Sequence, residues 1–111
     1  MAQNPFMWLV GTRCAPELDD EFNKWYDEVN IPMVMKGGHI SATTRYKLSS
    51  DVESDQSPYL AAYEFKDVAT FKSWLSSDAL AEARADMKET WGDRDIVITS
   101  RAFYEPVSRW G

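Results

Sequence analysis

With one cysteine and one histidine in 111 residues, the chain is not expected to form an internal disulfide or a soft-ligand metal centre. A lone thiol fits a reducing compartment, so the cytoplasm is the expected location. Cys14 has only Arg13 as an activating neighbour and does not read as a nucleophile. Basic residues are also scarce. Twelve Lys and Arg stand against 18 Asp and Glu, the net charge is −6, and the cations are not clustered. Nucleic acid and anionic membrane surfaces both demand the opposite pattern and are excluded as partners. No apolar run approaches the roughly 20 residues of a membrane-spanning helix. The opening MAQNPFMWLVGTR lacks a basic stretch followed by a long apolar one, so no signal peptide is expected. No glycine-rich cradle follows a strand, which argues against nucleotides, and no cofactor is expected. With no repeat, no low-complexity segment and no linker, residues 1–111 read as a single domain.

Aromatic residues are plentiful. They make up 14% of the chain and include five tryptophans, more than one small core usually needs. The surplus implies an aromatic-lined pocket or a large interface between subunits.

Phe6 to Thr12 is short and apolar throughout, as a buried central strand is. Pro16 suits the first position of a helix, and Glu17, Asp19, Asp20 and Glu21 favour its positive end. Leu18, Phe22, Trp25 and Val29 then form one apolar stripe. Pro32 should bend or end this helix, and Gly37-Gly38 should stop the apolar turn that follows. His39 to Leu48 alternates as a second strand, and Ser49 to Pro58 is polar and acidic, a mobile loop. Tyr59 to Phe65 is a third strand. Helices are expected over Asp67 to Leu75 and Ser77 to Trp91, with Asp67 and Ser77 as caps and Gly92 as the stop. The fourth strand is Ile96 to Tyr104, followed by a tail ending in Trp110.

The order β-α-β-β-α-β is that of a ferredoxin-like α+β sandwich, an antiparallel sheet with helices on one face. Apolar residues of both parities in the first strand (Phe6, Trp8, Val10 against Met7, Leu9) leave a second sheet face to be covered. The expected cover is another copy of the chain, giving a homodimer packed sheet to sheet.

The stretch from Phe22 to Arg45 packs a helix, a break and a strand into a short span, and the candidate site centres on it. Tyr26 and Asn30 are four apart and share a helix face, where a phenol and an amide would orient a carbonyl. The alternative is that Tyr26 is core and Asn30 caps the helix. His39 is the one side chain that titrates near neutrality unperturbed, a candidate acid/base or else a structural histidine. If the strand begins at His39, then Thr43 and Arg45 share its face, and Arg45 would grip a carboxylate or phenolate, or form a surface ion pair. Tyr63 and Trp91 are candidate walls, alongside Phe22.

The segment Asn23 to Pro32, NKWYDEVNIP, resembles the WYxxxHxP signature of EthD-like proteins in the dimeric α/β-barrel superfamily. The likeness extends to HISATTRYKL, SPYLAAYEF and the helix closing on Thr90-Trp91, most of the chain from Glu17 to Tyr104. It implies a dimeric α/β barrel and chemistry on a small molecule, in a superfamily of varied reactions. Where the signature has histidine this chain has Asn30, which cannot shuttle a proton, so His39 is the candidate replacement imidazole. The expected function is a cofactor-independent lyase or isomerase acting on an aromatic or hydrophobic oxygenated molecule by dehydration, isomerisation or decarboxylation. Rival expectations are a non-catalytic binding or accessory protein, a cofactor-free monooxygenase, and haem ligation by His39.

Overall fold

The computed structural model describes residues 5–49 and 56–111. Most of the acidic loop expected between the second and third strands lies outside them. Strands β1 (Phe6–Cys14), β2 (Ala42–Lys47), β3 (Tyr59–Phe65) and β4 (Ile96–Tyr104) form one antiparallel sheet in the order β2-β3-β1-β4. Between β1 and β2 the chain runs through a 3-10 turn (Pro16–Leu18), helix α1 (Asp19–Trp25), a π-helical turn (Tyr26–Asn30) and α2 (Ile31–Met35). Helices α3 (Val68–Leu75) and α4 (Asp78–Trp91) connect β3 to β4. This is the ferredoxin-like α+β arrangement expected from the sequence.

Side-chain oxygens of Asp67 and Ser77 accept the Thr70 and Leu80 amides at 2.7 and 3.2 Å, so both expected caps are made. Gly92 closes α4 at φ 53. The core lies between the sheet and the helices, where Phe22 and Phe65 are wholly buried and Trp25, Trp74 and Trp91 nearly so. Phe22 meets Trp25, Tyr26 and Trp91 at ring-centroid distances of 5.5 to 6.2 Å, the range of favourable tilted and edge contacts.

Two local expectations are corrected. Pro32 does not end the helix, which continues to Met35. The π-helical turn before it holds one residue more than an α-turn, with the Ile31 amide reaching back to the Tyr26 carbonyl. That wider turn precedes the proline, which then sits in the first turn of α2, where a missing N–H is tolerated. The second strand starts at Ala42 rather than His39. Gly37 and Gly38 take φ 92 and 74, a conformation that favours glycine, and the chain is still turning as it leaves them.

Among the described residues, no helix packs on the far face of the sheet. The registers of β1 place Met7 and Leu9 there, with Leu60, Ala62, Ala102 and Tyr104 beside them. On β2, Tyr46 points the same way. Tyr46 and Tyr104 are 54% and 56% exposed.

Candidate functional site

A hollow of about 70 Å³, partly open to solvent, lies between the sheet and the helices. Trp8 and Val10 of β1 and Ile98 of β4 wall it from below, and Val34, Leu80 and Met87 wall it from the helical side. Trp74 completes the aromatic lining, its indole N–H held by the Val34 carbonyl at 3.0 Å. Such walls offer a ligand apolar contact on several sides.

Three buried polar side chains line this space. Tyr26, on the π-helical turn, and Tyr63, on β3, meet hydroxyl to hydroxyl at 3.0 Å and both are buried. Asn30 follows Tyr26 by one turn, is only 6% exposed and lines the same hollow. Its side-chain amide neither caps α2 nor hydrogen-bonds any described residue. The amide is therefore available to a ligand entering the hollow.

The two phenols are not equivalent. Burial raises the pKa of Tyr26 above its ordinary value of 10.0, opposed by the hydrogen bond with Tyr63 and by the charges of Arg45 and Arg101. Tyr63 is pushed up further, by burial first and then by Tyr26, so both stay protonated at neutral pH. Either hydroxyl can donate across their 3.0 Å contact, so the pair keeps one further proton to offer a ligand.

The expected site is assembled only in part. Tyr26, Asn30 and Tyr63 come together; His39, Arg45, Thr43, Trp91 and Phe22 do not line the hollow. The expectation that His39 faces Tyr26 and Asn30 is not met. Its ring lies against Gly37, in a separate surface hollow with Ser73, Ser76, Asp78 and Glu82. The parity argument placed it wrongly because the strand has not begun at that position. Arg45 does face the helices, but its guanidinium bonds Asp27 and Asn23 at 2.9 and 2.8 Å and stacks over the outer side of the Tyr26 ring at 4.4 Å. It holds the phenol in place and is not free to grip a ligand. Thr43 stands opposite Tyr63 on β2, its buried hydroxyl without a partner among the described residues. Trp91 and Phe22 are core, in edge contact with each other at 5.8 Å. Cys14 is partly buried, and burial first, then nearby carboxylates, pushes its thiol up, away from nucleophilic use.

Sequence reasoning missed Arg84 of α4 and Arg101 of β4, which also line the hollow. Arg84 stands one turn from Leu80 and Met87, on the apolar stripe of α4, so its spacing was a usable signal. Alternation from Ile98 puts Arg101 on the far side of the sheet. An extra residue in β4 opposite Gly11 and Thr12 shifts the register and returns Arg101 to the helical side, across from Val10.

Three solved structures show how widely this architecture is shared. An EthD family protein from Bacillus halodurans C-125 superposes with a TM-score of 0.67 at 14% identity, covering 92% of this chain and 99% of its own. An EthD-like protein from Ralstonia eutropha JMP134 gives 0.63 at 19% identity, with 97% of each chain covered. A dabb family protein with a ferredoxin-like fold from Mesorhizobium loti MAFF303099 gives 0.61 at 14%, covering 96% of this chain and all of its own. At such identities the likeness is one of fold, and it agrees with the resemblance in the WY segment. No curated protein matches the sequence. The family model described as a domain of unknown function, DUF4286, matches residues 6–105, and the chain belongs to that family.

Proposed function

We propose that the hollow binds a hydrophobic, oxygenated small molecule, aromatic in its simplest form, and that the protein acts on it without a cofactor. The buried Tyr26–Tyr63 pair supports this reading most strongly, because one of its two protons is left for a ligand in a largely apolar hollow next to an unpartnered amide. Donation to a carbonyl stabilises the enolate-like charge that develops in an isomerisation, a dehydration or a decarboxylation. Oxygenation without a cofactor would use the same donor, with the aromatic substrate supplying electrons. A purely ligand-binding role is favoured by one observation. Among the described residues no histidine, carboxylate, lysine or cysteine lines the hollow, so a proton removed from the substrate would pass to the substrate itself or to water.

Incubating the protein with aromatic ketones and phenolic acids separates the two. Product formation that falls with Tyr26→Phe and survives His39→Gln marks an enzyme; saturable binding with no turnover marks a carrier. The protein would work as a homodimer whose uncovered sheet faces pack together, and its single free thiol suits the cytoplasm.

A further inference from the structure

We propose that the ligand of this hollow carries a carboxylate, received by Arg84 and Arg101. The inference rests on the reading of the hollow as a small-molecule site and adds the ligand's charge. Arg45 is paired with Asp27 and Arg94 with Glu21. Arg13, Arg84, Arg101 and Arg109 have no hydrogen bond or ion pair among the described residues, and of these Arg84 and Arg101, both exposed to solvent, border the hollow together. One helical turn away from Arg84 stand Leu80, Ala81, Met87 and Lys88, which offer no anion and add a further cation. Arg101 faces Val10 across the sheet and has Phe103 next on its own side. Its charge also acts on Tyr26, which ties it to the donor end of the hollow.

Two unpaired guanidiniums beside apolar walls form an electrostatic site for one anion. Planar forks match a carboxylate in bidentate geometry. A phosphate would also draw on a cradle of backbone N–H groups, and the hollow has none: the N-terminus of α4 opens instead onto the hollow that holds His39. Tyr26 and Asn30 would then take a carbonyl or hydroxyl elsewhere on the same molecule. The substrate class is an aromatic or hydrophobic oxo- or hydroxy-acid, held at two points.

The test uses benzoylpropionate, its methyl ester and phenyl phosphate as probes, followed by quenching of tryptophan fluorescence, since Trp8 and Trp74 line the site. In the unaltered protein the acid should bind about tenfold more tightly than the ester, the usual size of one charge-assisted contact. Arg84→Ala and Arg101→Ala should each erode that preference, and the double variant should abolish it with the ester's affinity unchanged. Melting curves of each variant establish that it is folded. Equal binding of acid and ester, or tighter binding of phenyl phosphate, overturns the carboxylate assignment while the site stands. If neither acid nor ester binds, the small-molecule reading falls with it.

Discussion

Tyr26 sits between three groups that each fix one of its properties. Arg45 stacks on the ring and holds its position, Tyr63 shares a hydrogen bond with its hydroxyl, and the hollow lies beside that hydroxyl. Tyr26→Phe should therefore lower turnover or ketone affinity about tenfold to a hundredfold, the range for one buried donor. His39→Gln should leave both unchanged, since the imidazole belongs to another surface; steady-state assays or titrations check the pair side by side. The phenols also predict a pH response. Both have folded pKa values above the ordinary 10.0, because burial disfavours the phenolate. Stability from keeping them neutral is complete below pH 10 and is lost as pH rises through the folded values. Melting temperature should fall above pH 10, and more gently in a Tyr26→Phe/Tyr63→Phe variant; the remaining slope includes Tyr59, whose pKa is raised chiefly by its bond to Asp19.

The junction between α2 and β2 explains why the site was only half legible in the sequence. Strand alternation, helix stripes, caps and glycine stops are local signals, and they placed all four strands and both α3 and α4. The spacing of Tyr26 and Asn30 also survived, because a π-turn widened by one residue still leaves them on one face. Parity fails where regular geometry fails. Two left-handed glycines removed His39 from the strand, and a bulge in β4 hid Arg101. Arg45 was placed on the correct face, but which acid would claim it depends on the angle between helix and sheet, which no local pattern encodes. The same junction carries a prediction. At φ 92, with a Cβ only 3.2 Å from the His39 ring, Gly37→Ala should cost about 1 kcal/mol or more of unfolding free energy in a denaturant titration. At the start of α3, Asp67→Ala should cost about 1 kcal/mol by removing the cap on Thr70.

Across the whole molecule, the described helices cover one face of the sheet and leave the other bare, with Tyr46 and Tyr104 in the open. A second copy, related by a two-fold axis, would cover an apolar face of this kind with an identical one. Light scattering on the purified chain should give twice the 12.7 kDa monomer mass, and a Tyr46→Glu/Tyr104→Glu variant should shift the population toward monomer. Ligand binding and assembly are separate demands on the same sheet. The hollow draws on the face bearing Trp8 and Tyr63, and the interface on the face bearing Leu9 and Ala62.

The most direct measurement is the infrared carbonyl stretch of an aryl ketone bound in the hollow. Donation from the Tyr26–Tyr63 pair to the ketone oxygen should lower the stretching frequency on binding, and Tyr26→Phe should remove most of that shift while His39→Gln leaves it intact. A bound ketone whose frequency matches that in an apolar solvent, or whose shift disappears with His39→Gln, would contradict the assignment.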